Sequence, residues 1–286
     1  MNLKKRITHF CMHEKYRNKY IKENRTENAF NKLTFDYPNV DIDLVTIAFE
    51  NPKMISYQIR LIRKHLKDNY SYVVADNSND EKKSKDIEKI CRDSNVPYIR
   101  LPKNPYNGAF AMGSYSNGAA MNYVYYHYIK KSRSRYFGFL DHDVFPIHDF
   151  SILDQMKKQS FWGTLRCVPT KNGYCCIYPW AGFCFFDKYK FDANQFDFMP
   201  LKGIGDTGAA NYKNCFLPII KSDDFLEYTF ADLKRIDIEG THGSPQSSQY
   251  ELLGTMWLHY LNASNWSNEN LEIKDKVLEE LIAKFL

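Results

Sequence analysis

Residues 136–146 decide the fold of this chain, and they read YFGFLDHDVFP. The first half, Tyr136 to Leu140, is an apolar, aromatic run with the length of one strand, and Asp141 and Asp143 follow it directly. Two carboxylates spaced i, i+2 at a strand end suit a hard cation, because a turn can bring both side chains to one side of the ion. Mg²⁺ and Mn²⁺ take such oxygen ligands and leave coordination positions for substrate phosphates. The stretch therefore predicts a buried strand that ends in a divalent-metal site.

Strands and helices alternate on the amino-terminal side of this stretch. Residues 44–49 are short, β-branched and apolar, which is typical of a strand buried on both faces. Ile55, Ile59, Ile62 and Leu66 then fall on one face of a helix. Further strands are predicted over residues 72–75, 98–101 and 136–140, with helices around residues 87–91 and 114–130. This alternation predicts an α/β fold with a mostly parallel central sheet and helices on both faces.

The second half of the chain predicts two more strands and a final helix. The strands cover residues 161–168 and 177–186. In the helix, residues 273–285, an apolar stripe includes Leu278 and Ile282. The stripe could dock on the domain, join a dimer or lie on a membrane. We expect docking, because the polar face is not rich in Lys and Arg.

Length and pattern together give the expected domain organisation. We expect an N-terminal arm over residues 1–38, a catalytic domain over 39–265 and a C-terminal helix over 266–286. Within the domain, residues 39–150 would bind the nucleotide and 151–265 would form a C-terminal acceptor-side region. Ligands of such sheets bind outside the carboxyl ends of the strands, which directs attention to residues 49–51, 76–77 and 141–143.

Composition limits the possible partners and compartment. No apolar run approaches the roughly 20 residues that a membrane span needs, and the basic N-terminus lacks the apolar region of a secretory signal. We therefore expect a cytoplasmic protein, with peripheral membrane contact as an alternative, and no nucleic-acid partner. The net charge of +5 is interpreted as a solvated basic face; an anionic membrane or a phosphorylated substrate is the alternative. The seven cysteines show no zinc spacing, so most are expected to be reduced core residues.

Three segments give the chain a family resemblance. They are the strand over residues 44–49, the strand that ends in Asp76-Asn77-Ser78, and the D-x-D motif of Asp141 and Asp143 behind its aromatic strand. With the intervening Asn- and Gly-rich segment from Asn107 to Gly118, they resemble the family 2-like glycosyltransferases of the GT-A fold. The resemblance covers roughly residues 41–150. It implies a Rossmann-like catalytic domain, a nucleoside diphosphate sugar as donor, Mn²⁺ or Mg²⁺ on its diphosphate, and transfer to a hydroxyl of a glycan or another acceptor, with inversion.

The resemblance also implies roles in donor binding. Asp76 would contact the nucleoside, and a helix N-cap or loop carboxylate is its alternative role. Phe49 would border the same base pocket. Asn107 and Gly108 would line the donor site, with a plain turn as the alternative.

Candidates for the acceptor side come from the second half of the chain. Trp180 is a candidate sugar-stacking platform or a core residue. Asp206, between glycines, is the candidate general base that an inverting transfer requires, and it could also cap a helix beginning at Thr207. His242, in a small-residue loop, would complete the metal or diphosphate site as the resemblance implies, whereas His142, His148 and His259 are interpreted as structural.

Two other functions remain as alternatives. A nucleotidyltransferase would also bind metal on an α/β sheet, but its Gly-rich basic phosphate loop is replaced here by Glu50-Asn51-Pro52-Lys53. A noncatalytic carbohydrate-binding protein with the same fold is the other alternative, and the retained carboxylates disfavour it. A retaining transfer also stays open.

Overall fold

Ten strands and nine α-helices are defined in the computed structural model, which describes residues 14–36, 39–107, 113–170, 173, 175–201, 204–261 and 269–286. The strands are β1 (Ile42–Ala48), β2 (Tyr70–Asp76), β3 (Tyr98–Arg100), β4 (Tyr136–Asp141), β5 (Val144–Pro146), β6 (Phe161–Pro169), β7 (Cys175–Asp187), β8 (Leu233–Asp237), β9 (Gln249–Leu253) and β10 (Trp257–His259). The helices are α1 (14–21), α2 (Glu27–Asp36), α3 (Pro52–His65), α4 (Glu81–Asp93), α5 (Gly113–Val124), α6 (Ile152–Met156), α7 (Leu217–Ile220), α8 (Pro245–Ser248) and α9 (Leu271–Phe285). A π-helical turn, Tyr125–Ile129, extends α5.

The central sheet has six strands in the order β3-β2-β1-β4-β7-β6. The first four strands are parallel, β7 runs antiparallel to β4, and β6 runs antiparallel to β7, so among the described strands of this sheet β7 alone is reversed. The register pairs Ala48 with Asp76 and Ile47 with Asp141, so the carboxyl ends of β1, β2 and β4 meet at one edge. The predicted α/β class and mostly parallel sheet are confirmed.

Helices cover both faces of this sheet. On one face, α3 and α4 pack through apolar stripes such as Ile55, Ile59 and Ile87, and on the other face α5 packs through Ala120 and Val124. All seven residues of β1 are buried, because helices lie on both sides of it. Helix α3 begins at Pro52, where Asn51 caps it by accepting the Met54 N–H at 3.4 Å.

A second sheet, β5-β10-β9-β8, is antiparallel and was not predicted from the sequence. Its strands have only three to five residues, too few for a clear period-two pattern. Strand β5 begins at Val144, directly after the D-x-D motif, and pairs with β10. The second sheet therefore places β10 beside the end of β4.

The C-terminal helix α9 docks on the domain, as its apolar stripe predicts. Leu278 and Ile282 are buried in a cluster with Leu61 of α3, Phe145 of β5 and Leu258 of β10. No helix in the described ranges is long and apolar enough to cross a membrane.

Cysteine use agrees in part with the sequence prediction. Cys91, Cys176, Cys184 and Cys215 are buried free thiols, as expected of reduced core residues. Cys167 and Cys175, however, form a disulfide between β6 and β7, with their Cα atoms 5.7 Å apart. Because the two residues are in adjacent strands, their approach depends on the hairpin register, which cysteine spacing does not show.

Lys274 of α9 is buried, and it connects this helix to two other segments. Its ammonium donates to the carbonyl of Gln246 at 2.6 Å and to that of Leu261 at 3.1 Å. Burial lowers the pKa of Lys274 from its usual 10.5 to about 8.

The depressed pKa of Lys274 gives a test by pH. Between about pH 8 and 10.5 the unfolded chain binds more protons at this residue than the folded chain, so the free energy of unfolding rises with pH there. Lys274→Met removes this contribution. The free energy of unfolding of the wild type should therefore rise, relative to that of the variant, by roughly 2 kcal/mol between about pH 8 and 10 in urea titrations. Lys276→Met, at an exposed position of the same helix, is the control; a difference that does not change with pH would contradict the assignment.

Candidate active site

The D-x-D carboxylates lie at the carboxyl edge of the central sheet. Asp141 ends β4 and is partly buried, and Asp143 is buried in the turn that leads to β5. From β1 the chain proceeds to β2 and β3 on one side, whereas β4 lies on the other side of β1. This is a topological switch point, the position at which open α/β sheets bind ligands.

Gln58 of α3 fixes the D-x-D turn through hydrogen bonds of its side chain. Its side-chain nitrogen donates to the carbonyls of Asp141 and Val144, each at 2.8 Å. Its side-chain oxygen accepts from the hydroxyl of Thr46 at 2.8 Å and from that of Tyr72 at 2.7 Å. All four hydrogen-bonding positions of this fully buried amide are thus used. The sequence analysis missed Gln58, although a polar residue among the apolar positions of α3 was the available signal.

Gly182 of β7 makes room for the carboxylate of Asp141. A Cβ atom at this position would lie 2.3 Å from Asp141 Oδ2 and 2.4 Å from the ring of Trp180. Both distances are far below van der Waals contact, so a side chain here would displace the Asp141 carboxylate or Trp180.

His259 of β10, interpreted as structural in the sequence analysis, lies at this site. Its Nε2 is 3.6 Å from Asp143 Oδ1, and its Nδ1 is 2.8 Å from Glu251 Oε2. Arg235 donates to the other oxygen of Glu251 at 3.1 Å. Burial is the largest influence on the pKa of Glu251 and raises it. The hydrogen bond and charge of His259, together with the hydrogen bond from Arg235 and the charge of Arg166, outweigh burial and lower this pKa. Glu251 is therefore ionised and accepts, so His259 carries its proton on Nδ1 and directs Nε2 toward Asp143.

Burial and neighbouring carboxylates set the protonation of Asp141. Burial, followed by repulsion from Asp143, raises the pKa of Asp141 to about 7. The charge of Asp206 also raises this pKa.

Asp206 lies at the surface beside β7. Its backbone N–H donates to the hydroxyl of Tyr178 at 2.8 Å, and its Oδ1 accepts the N–H of Thr207 at 2.7 Å. The predicted helix after Thr207 is instead a 3-10 turn, Ala209–Asn211, capped by Gly208 and followed by a π-helical turn. Asp206 is thus exposed in a loop and does not cap that turn.

Trp180 is mostly buried, with 8% of its surface exposed. Its ring centroid is 4.6 Å from that of His259, and the guanidinium of Arg166 lies 5.2 Å from its ring. The side chain is therefore a packing element at the wall of the site, with little open surface on which a sugar could stack.

The predicted nucleoside contact at Asp76 is not supported by its position. Asp76 is completely buried, and its oxygens accept from the hydroxyls of Ser78, Ser84 and Tyr98 at 2.5 to 2.7 Å. Arg100 forms an ion pair with it at 3.2 Å. The carboxylate therefore organises the end of β2 from inside.

A cavity of about 370 Å³ opens in front of Asp76, at the ends of β2 and β3. Its lining includes Asn77, Ser78 and Asn107, with Arg100 and Lys103 as cations. Asn107 donates to the carbonyl of Asn77 at 3.0 Å, so it is fixed at the cavity wall.

The other two predicted donor-site residues are placed differently. Phe49 is half-buried just after β1. Gly108 lies outside the described residues.

Within the described residues, His242 forms no ion pair with the D-x-D carboxylates, whereas His259 does. His242 is exposed, and its carbonyl accepts from the Asn270 amide at 2.6 Å beside the start of α9. The predicted role of His242 as the third metal group is therefore not supported by its position, whereas His259 contacts Asp143.

The residues at the end of β4 fit a divalent cation in part. Within the described ranges, no three His, Cys, Asp or Glu side chains are already arranged as a metal-binding group. Burial and the neighbouring charge of Asp143 nevertheless raise the pKa of Asp141, and His259 presents a ring nitrogen beside Asp143. These groups suit an ion that takes its other ligands from phosphate oxygens and water.

Comparison with known proteins gives only distant similarities. The chain matches no family model and no curated protein. Among solved structures, it is similar to S. aureus TarS 1-349, at 13% identity over 60% of this chain and 53% of that one, with a TM-score of 0.40. The mannosyltransferase Ktr4p from S. cerevisiae matches at 11% identity over 61% of this chain and 66% of that one, with a TM-score of 0.37. Core-mannan synthase A from Aspergillus fumigatus, in a Mn/GDP form, matches at 12% identity over 56% and 64%, with a TM-score of 0.36.

These solved chains are only partly covered, by about half to two thirds of their lengths. With TM-scores this low, the similarities do not decide the activity of this chain.

Gln58 gives a test of how the site is held. Gln58→Leu should lower the free energy of unfolding by roughly 2–4 kcal/mol, because it leaves two carbonyls and two hydroxyls without their buried partner. Urea denaturation measures this loss. Gln246→Leu, at an exposed position, is the matched control and should change stability by less than about 0.5 kcal/mol. A Gln58 variant as stable as the control would contradict the clamping role.

Proposed function

We propose that this chain is a nucleotide-sugar-dependent glycosyltransferase that transfers a glycosyl group to an acceptor hydroxyl with inversion. The observation that carries the proposal is the meeting of Asp141, Asp143 and His259 at the switch point of a parallel sheet, with the exposed Asp206 beside the neighbouring strand β7. Carboxylates for a metal–diphosphate group and a separate exposed carboxylate are the two kinds of group that such a transfer requires.

The donor would lie across the ends of β1, β2 and β4. Its nucleoside would occupy the cavity lined by Asn77, Ser78 and Asn107, and its diphosphate would reach the D-x-D motif. Asp141 and Asp143 would hold Mn²⁺ or Mg²⁺, with His259 as the third protein group and Glu251 fixing the orientation of its ring. When bound, the ion would neutralise the negative charge that develops on the departing diphosphate.

Asp206 would act on the acceptor. Its exposed carboxylate would accept the proton of the acceptor hydroxyl as that oxygen forms its bond to the anomeric carbon. The hydrogen bond from its backbone to Tyr178 holds this residue beside β7.

The alternative of a nucleotidyltransferase has less support. The segment after β1 holds Asn51 as a helix cap and Pro52 as the first helical residue, and its backbone is not a glycine-rich phosphate loop. A noncatalytic binding protein would bind donor without turnover, so detectable donor hydrolysis separates it from the enzyme.

Metal-dependent donor binding tests the proposal directly. Calorimetry with UDP, GDP, CMP and dTDP, with and without Mn²⁺, should show at least one nucleotide whose affinity increases with the ion. Asp141→Asn, Asp143→Asn and His259→Ala should each remove most of that increase, because each deletes a group at the ion. His242→Ala should change the Mn²⁺-dependent increase in affinity by no more than about twofold. If His242→Ala removed this increase and His259→Ala did not, His242 would be assigned to the metal site instead. Absence of binding for every nucleotide would contradict the proposed function.

A variant of Asp206 tests whether this residue acts in the chemical step or in donor binding. Asp206→Asn should lower turnover by roughly 10²- to 10⁴-fold, because the amide cannot accept the proton, while donor affinity stays near that of wild type. Asp224→Asn removes an equal charge at another exposed position and serves as control. Loss of donor affinity in Asp206→Asn would instead assign this residue to the donor site.

A further inference from the structure

Arg166 of β6 differs from the other arginines near the candidate site. Arg100 pairs with Asp76 and Arg235 with Glu251. Arg166 is half-buried, its guanidinium lies beside the ring of Trp180, and within the described part of the chain it makes no hydrogen bond or ion pair, although its charge helps to lower the pKa of Glu251. A half-buried arginine without a direct anionic partner among these residues is unusual.

Trp180 limits where this guanidinium can lie. The cation is 5.2 Å from the Trp180 ring, and the same ring contacts His259 at a centroid distance of 4.6 Å. Arg166 therefore borders the D-x-D site without contacting its carboxylates. Stacking on an indole also leaves the edge of the guanidinium plane, where the N–H groups point, open to a ligand.

Arg166 is also on the same side of the sheet as Asp206. In the antiparallel register it is directly opposite Tyr178, whose hydroxyl accepts the Asp206 N–H. Burial raises the pKa of Tyr178, the charge of Asp206 raises it further, and the charge of Arg166 lowers it. Arg166 and Asp206 are thus both next to Tyr178, at the β7–β6 edge. The proposed nucleoside cavity is at the other end of the sheet, beside β2 and β3.

We propose that Arg166 binds an anionic group, a phosphate or a carboxylate, on the acceptor whose hydroxyl meets Asp206. This inference rests on the proposed function and deepens it, since it makes the acceptor an acidic or phosphorylated hydroxyl compound. Guanidinium is suited to this task because its paired N–H groups match two oxygens of such an anion. The carboxylates around the site would repel an anion elsewhere, so the guanidinium of Arg166 would also select the orientation of the acceptor.

Small anions test the proposal without nucleotide or metal. Glycerol 3-phosphate, glycerate and glycerol share the same hydroxyl chemistry but carry a phosphate, a carboxylate or no charge. In EDTA, calorimetry should show saturable binding of at least one anion to the wild-type chain, with glycerol at least tenfold weaker. The preferred anion identifies the acidic group.

Charge variants assign this binding to Arg166. Arg166→Gln should weaken binding of the preferred anion at least tenfold. Arg166→Lys should lose less affinity, because it keeps the charge without the paired donors. Arg92→Gln, which removes the same charge from an exposed position on α4, should stay within twofold of wild type. Thermal midpoints of all three variants check that the fold is retained, and Arg166→Lys carries the test if Arg166→Gln does not fold.

Several results would overturn the proposal. These are the absence of saturable anion binding to wild type, equal anion affinities in wild type and Arg166→Gln, and an Arg166→Gln effect confined to UDP or GDP with Mn²⁺. The last result would move Arg166 to the donor diphosphate. Failure of the proposed function is separately visible, because it would appear as absence of nucleotide binding to the wild-type chain.

Discussion

The buried amide of Gln58 joins the parts of the molecule that the candidate site requires. It connects helix α3 with β1 through Thr46, with β2 through Tyr72, and with the turn between Asp141 and Val144. Val144 begins the second sheet, so a single side chain links both sheets to one helix. Because an unpaired amide in this interior would be costly, the four hydrogen bonds form cooperatively. They hold the D-x-D turn rigidly against the core.

The protonation of the carboxylates at the site depends on this rigidity. Burial and then the repulsion between Asp141 and Asp143, which are held close together at the edge of the sheet, raise the pKa of Asp141. Glu251 is also buried, but contacts with His259 and Arg235 compensate for its burial. Carboxylates within one small region therefore have different protonation behaviour, and this difference distinguishes Asp141, the proposed cation ligand, from Glu251, which orients His259.

Local sequence signals predicted the part of the fold that depends on local interactions. The apolar runs of β1, β2 and β4 and the stripes of α3 and α9 are periodic, and the D-x-D motif follows directly from the end of a strand. His259 and Glu251 could not be found in this way, since they belong to short strands and β10 reaches the D-x-D motif only by pairing with β5, which is distant in sequence. Burial of Asp76 likewise depends on Tyr98 and Arg100, which reach it only once β3 pairs with β2.

The contacts of Lys274 have a consequence for the order in which this protein is made. Strands β1 to β4 are synthesised before the rest of the central sheet, so a nascent chain could pair these four parallel strands early. Tyr260, however, donates its backbone N–H to the carbonyl of Asp143, and the segment beyond it is held by an ammonium on the last helix. Both carboxylates of the motif are synthesised long before that helix, yet the wall around them is complete only after it has emerged. During translation the chain would therefore pass through a period in which its sheet is folded and its ligand site is still open on one side.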